Sequence, residues 1–86
     1  MEEVKKTHIG KVAHYYPKLG VGIIDLTDEL IVGDKISIEG ATTNVQQNVD
    51  SMEIEHTKLQ SAKAERAIGL KVASKIREGD LVYKLG

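Results

Sequence analysis

Three histidines, His8, His14 and His56, are the side chains best suited to proton transfer or metal binding near neutral pH. None stands at a metal-ligand spacing from another ligand. Glu53 and Glu55 share one strand face by their period of two, whereas His56 points to the other. Asp25 and Asp28 are the next carboxylate pair, placed where a strand meets a turn, and Asp there commonly bonds the local backbone. Ser37 and Ser51 have no histidine at a motif spacing, so no nucleophilic triad is indicated. The chain has no cysteine, which removes thiolate nucleophiles, disulfides and cysteine-ligated zinc. It also has no GxxxxGK[ST] phosphate loop. No catalysis, no metal and no cofactor are expected.

Other residues are suited to binding. Tyr15 and Tyr16 are adjacent on a strand, so one ring faces the core and the other faces out, where it could stack on a base. Basic residues gather toward the two ends, with Lys5, Lys6 and Lys11 at one and Lys71, Lys75 and Arg77 at the other. Residues 22–55 instead carry eight acids against Lys35 alone. A fold that joined the ends would have a basic side and an acidic side. The net charge of −1 does not by itself mark a nucleic-acid binder.

"IVGDKISI" (31–38) is echoed by "REGDLVYKL" (77–85). A phosphate cradle needs backbone N–H groups converging at a helix N-terminus. Here a strand pattern follows each Gly-Asp. Gly33 and Gly79 are therefore turn residues with positive φ. Asp34 and Asp80 close the turns through their own local backbone.

The elements that position these residues are strands. Residues 8–16 and 21–27 read as a hairpin about Pro17–Gly20. Residues 34–39 alternate, with Ile36 and Ile38 on one face. In 43–56, Val45, Gln47 and Val49 set one phase while Met52 and Ile54 set the other, which predicts a β-bulge near Asp50–Ser51. Residues 67–73 and 80–85 complete six strands. The 57–66 stretch is too short for an independent helix. It reads as a loop with one helical turn, anchored by Leu59 and Ala62. Six short strands with glycine-rich turns predict an all-β fold, a small closed six-stranded β-barrel without open edges.

At 86 residues the chain fits one domain spanning 1–86. With three Tyr and no Phe or Trp, the core must be aliphatic. The charged N-terminus has no signal-peptide h-region. No apolar run is long enough to span a membrane. A cytoplasmic location is expected.

The stretches "VDSMEIEHTKLQSAKAERAIGLKV", "IREGDLVYK" and "LIVGDKISI" resemble, in order and spacing, the second domain of elongation factor Tu-type translation factors. The resemblance covers about residues 8–85 and implies that family's β-barrel. It also implies a non-catalytic module that contacts tRNA or a translation factor, with no GTP binding by this chain alone. Glu53 matches the family's pocket position for the terminal adenosine, and Lys63 a basic loop position. Ser61 stands where an acid is expected, and Ala64-Glu65-Arg66 lacks the family's turn glycine. The barrel is also similar to the C-terminal domain of collagenase-like peptidases, whose family includes tRNA-modification proteins. That likeness implies the alternative, a protein-interaction accessory module docking on such an enzyme. A docking module of this kind is expected to show an enlarged apolar surface patch.

Overall fold

The computed structural model describes residues 6–55 and 57–85. Lys5 and His56 lie outside them. The strands, in chain order, are β1 (Lys6–Tyr16), β2 (Val21–Leu26), β3 (Leu30–Ile31), β4 (Lys35–Glu39), β5 (Asn44–Asn48), β6 (Met52–Ile54), β7 (Thr57–Leu59), β8 (Ser61–Ala62), β9 (Ala67–Lys71) and β10 (Leu81–Leu85). Eight of them form one sheet in the order β5-β4-β10-β1-β2-β9-β6-β7, and β3 pairs with β8. Every pairing is antiparallel. No described residue is helical.

The core is aliphatic, as the composition requires. Ile9, Ile24, Leu30, Ile36, Ile38, Met52, Ile68, Leu70 and Val82 are fully buried. Alternation drives this: Ile36 and Ile38 on β4, and Ile68 and Leu70 on β9, point inward at period two. β1 departs from strict alternation because its register shifts between His8 and Gly10 against β10, and between Val12 and His14 against β2. Bulges of this kind bend a long strand so that it can serve two neighbours. At the first shift the backbone comes so close that a Cβ on Gly10 would lie 2.7 Å from the Asp25 carbonyl oxygen.

Both Gly-Asp turns form as the sequence implies. Gly33 has φ +100° and Gly79 φ +89°. The Asp34 N–H donates to the Ile31 carbonyl, and the Ile31 N–H donates to the Asp34 carboxylate at 3.0 Å. The Asp80 N–H likewise donates to the Arg77 carbonyl, and the Arg77 N–H to the Asp80 carboxylate at 2.9 Å. β4 and β10 then pair with Ser37 opposite Tyr83, Lys35 opposite Leu85 and Glu39 opposite Leu81. The two echoed motifs are thus related by a local two-fold between Ser37 and Tyr83. Each turn sits beside the far end of the other strand: Lys84 Nζ lies 3.5 Å from Asp34, and the Asp80 carboxylate occupies the space a Cβ on Gly40 would need.

Three expectations change. The 43–56 stretch is not one bulged strand. β5 pairs with β4, whereas β6 pairs with β9 and β7, so Asp50–Ser51 is a corner where the chain changes partners. Val45, Val49 and Met52 are nevertheless all buried, because the corner, rather than an inserted residue, resolves the phase conflict. The 57–66 stretch forms β7 and β8 and no helical turn. Leu59 and Ala62 do anchor it in the core, and its backbone finds partners in β6 and β3. Finally, the large sheet ends at β5 and β7, and no ladder joins these edges among the described residues. The fold is a small all-β domain whose sheet is not closed by a backbone ladder.

Candidate interaction surface

The antiparallel registers align side chains across β1, β10, β4 and β5. His8 lies opposite Tyr83, Tyr83 opposite Ser37, and Ser37 opposite Gln46. The His8 and Tyr83 rings meet edge to face, with centroids 5.7 Å apart. Lys6 crosses this row, its Nζ 5.4 Å from the Tyr83 ring centroid, and donates to the Glu39 carboxylate at 2.9 Å. The Ser37 hydroxyl donates to the same carboxylate at 2.8 Å. These bonds, Lys6 first and Ser37 second, hold the Glu39 carboxyl below its ordinary value. The network borders a polar cleft of about 370 Å³ lined by Lys6, Glu39, Gly40, Thr43, Asn44 and Gln46.

A second cleft, of about 330 Å³, separates β5 from the end of β9 and is lined by Gln47, Asn48, Asp50, Lys71, Val72 and Ala73. Gln47 spans it. Its side-chain amide donates to the Lys71 carbonyl at 2.9 Å, and the Ala73 N–H donates to its Oε1 at 2.7 Å. One side-chain amide here does what a neighbouring strand's peptide group does elsewhere.

The sequence-selected residues do not converge on one site. Glu53 is half-buried on β6 opposite Lys58 and Gly69. Lys63 is exposed after β8. Neither lines either cleft. Tyr15 packs against the core, while Tyr16 is exposed and meets the His14 ring edge to face at 4.4 Å. His14 Nδ1 in turn lies 3.4 Å from the Glu78 carboxylate. Lys11, Lys71, Lys75 and Arg77 are exposed.

The separation of charge along the chain does not survive folding. Lys6 bonds Glu39, Lys84 approaches Asp34, Lys11 lies opposite Asp25, and Glu53 opposite Lys58. Strand pairing interleaves the basic and acidic segments instead of making a basic side. Among the described residues the exposed large hydrophobic residues are Tyr16, Leu19, Ile31 and Leu81. They sit on the β1–β2 hairpin, on β3 and at the start of β10. Sequence reasoning missed Gln47, although its place in the apolar phase of Val45 and Val49 was a signal. It also missed the Tyr83–His8–Lys6 cluster, which only the register assembles.

Among the described residues no group of three or more His, Asp or Glu side chains is placed to hold a metal. Fold and surface define a small all-β domain with a polar hydrogen-bonded face. No family model matches the chain. It is 42% identical over 82 residues to an uncharacterized protease of Methanocaldococcus jannaschii, a match covering 94% of this chain and 20% of the relative. It is 34% identical over 82 residues to a collagenase of Porphyromonas gingivalis, covering 93% of this chain and 23% of the relative. The chain therefore spans about a fifth of the length of the curated relatives it matches. Its fold matches the crystal structure of the C-terminal domain of a Geobacillus thermoleovorans "putative U32 peptidase" with TM-score 0.84, 20% identity and 90% of each chain covered. In sequence the chain is similar to about a fifth of these protease- and collagenase-named proteins, and in fold to the C-terminal domain of a U32 peptidase.

These relatives correct the translation reading. They are proteases and collagenases, not elongation factors. The resemblance to the translation-factor domain rests on turn and strand signals such as Val-Gly-Asp, which specify a β-fold rather than a role. Among the described residues, no helix is long and apolar enough to cross a membrane.

Proposed function

We propose that this chain is a non-catalytic accessory module, folding as one domain, that docks on the catalytic region of a collagenase-like U32 peptidase. The observation that carries the reading is the extent of the match. Sequence similarity runs through 94% of this chain yet covers only 20% of the protease it resembles. The matching structure is a C-terminal domain that was crystallised as a separate unit. A fifth of a protease that forms its own hydrophobic core is an add-on domain, not half of an active site. The Lys6–Glu39–Ser37 network suits such a role, because it fixes side chains on a sheet face without needing a substrate to order them. Within this reading the sheet acts as a barrel, with the Gln47 amide bridging the gap that its backbone leaves.

The test is to mix the purified chain with the catalytic region of a collagenase-like peptidase from the same host. Saturable association by calorimetry is expected, at a Kd in the micromolar range typical of transient domain contacts, on the order of 1–100 μM. Gelatin hydrolysis should require the catalytic region and be absent with the chain alone. No association at the upper end of that range, or hydrolysis by the chain alone, would refute the proposal.

A further inference from the structure

The first cleft, beside the β4–β5 turn, has no apolar residue in its lining, which is Lys6, Glu39, Gly40, Thr43, Asn44 and Gln46. Its backbone is fixed. The Gly40 and Thr43 backbones bond each other in both directions, at 2.9 and 3.4 Å, and the buried Asp80 carboxylate fills the space beside Gly40. Lys6 and Ser37 hold the Glu39 carboxylate in place. Asn44 and Gln46 stand two residues apart on one face of β5, opposite Glu39 and Ser37 in the register.

Three of these groups have no partner of their own. Among the described residues, the side chains of Thr43, Asn44 and Gln46 make no hydrogen bond. Asn44 and Gln46 are exposed, but Thr43 is only 6% exposed. No enclosed side-chain polar atom lacks a partner among the described residues. The Thr43 hydroxyl is therefore the part of that residue that reaches the surface, and it does so where Thr43 lines the cleft. A hydroxyl and two carboxamides each donate and accept. Lys6 and Glu39 add further donors and acceptors, and their charges cancel.

We infer that this cleft binds a neutral polyhydroxylated ligand, a ring of a saccharide. Sugar hydroxyls both donate and accept, and so pair with every member of the lining in one sense or the other. An anion such as phosphate would meet the Glu39 carboxylate, and a cation would meet Lys6, so charge selects against both. An extended peptide needs pockets for its side chains as well as a strand edge, and this lining has no apolar pocket. The volume of about 370 Å³ lies at the lower end of the range for small-molecule sites, about 300–1,000 Å³, which suits one or two rings. Water competes at every contact, so binding is weak, with a Kd on the order of 1 mM. This inference does not depend on the docking reading above.

Proton–nitrogen correlation NMR of the chain, titrated with maltose, lactose or diacetylchitobiose to about 50 mM, covers that range. At least one of the three should give saturable shifts gathered at Lys6, Glu39, Gly40 and residues 43–46. Inorganic phosphate at matched ionic strength should leave those signals in place. Asn44→Ala and Gln46→Ala break no hydrogen bond within the chain, so each should keep the wild-type circular dichroism spectrum and melt. Each should also weaken saccharide binding by about fivefold or more. Lys63→Gln, which touches neither cleft, should bind as wild type. Absence of saturable shifts with all three saccharides would overturn the inference. So would equal shifts with phosphate or with a gelatin peptide, which would assign the cleft to an anion or to a polypeptide. Undiminished affinity in a variant carrying both Asn44→Ala and Gln46→Ala would place the saccharide elsewhere and overturn it as well.

Discussion

Replacing Gln47 tests whether one side chain holds the two parts of the sheet together. Gln47→Ala removes two short hydrogen bonds, to the Lys71 carbonyl and from the Ala73 N–H, and a long one of 3.5 Å to the Asn48 carbonyl that adds little. A protein hydrogen bond contributes about 0.5–1.5 kcal/mol net. Gln47 is half-exposed, so water can reach the freed groups, and the loss should fall in the lower part of the summed range, about 1–2 kcal/mol. In a domain of this size that is a fall in Tm of roughly 5–15 °C. Gln47→Glu is the sharper variant. Its carboxylate still accepts from Ala73 but turns lone pairs toward the Lys71 carbonyl, so only the protonated acid makes both bonds. Folding should therefore raise the pKa of Glu at position 47. Its stabilising contribution is present below the unfolded pKa and is lost as pH rises through the raised folded value. Urea melts of Gln47→Glu and wild type at matched pH should show a deficit that grows from pH about 4 to about 7. A Gln47→Ala melt that overlays wild type, with a pH-independent Gln47→Glu deficit, would show that the bridge contributes nothing.

Gly33→Val and Gly79→Val should each cost about 1–3 kcal/mol in denaturant melts, from positive-φ strain, since a Cβ at either position meets nothing within 4 Å. Gly10→Ala should cost more than either, because the Asp25 carbonyl oxygen in its way is backbone and cannot swing aside. The folded-state pKa of Glu39 is depressed. Its contribution is therefore present above the unfolded carboxylate pKa and lost as pH falls through the lowered folded value. Lys6→Met should flatten that acid limb of the stability profile, and an unchanged limb would remove the Lys6–Glu39 pair from the account.

What could be read in the sequence was local. Gly33-Asp34 and Gly79-Asp80 are visible because each turn is closed by its own four residues. The strands around Ile36–Ile38 and Ile68–Leu70 are visible because period two is a short-range pattern. At Asp50–Ser51 the sequence shows a phase conflict that predicts an extra residue, whereas the chain turns a corner there, because a change of partner is a non-local event. The charge asymmetry failed for the same reason: Lys6 finds Glu39 thirty-three residues away. Gln47 shares the phase of Val45 and Val49, and a polar residue in an apolar phase signals a hydrogen-bond partner that its local sequence does not name. The docking role came from the resemblance to collagenase-like peptidases and not from any constellation of residues.

β10, the strand latest in sequence, is inserted between β1 and β4 near the middle of the sheet. Before it arrives, β5-β4 and β1-β2-β9-β6-β7 are separate ribbons. The Gly33 and Gly79 turns can form early, since they are local. Joining the ribbons must wait for Leu81–Leu85, whose partners on β4 lie more than forty residues back. Folding should therefore be slow for the chain's length, with a late step that depends on this one strand. A chain shortened before Leu81 would leave long open edges on both ribbons, and its fate would be association rather than a slightly weakened fold.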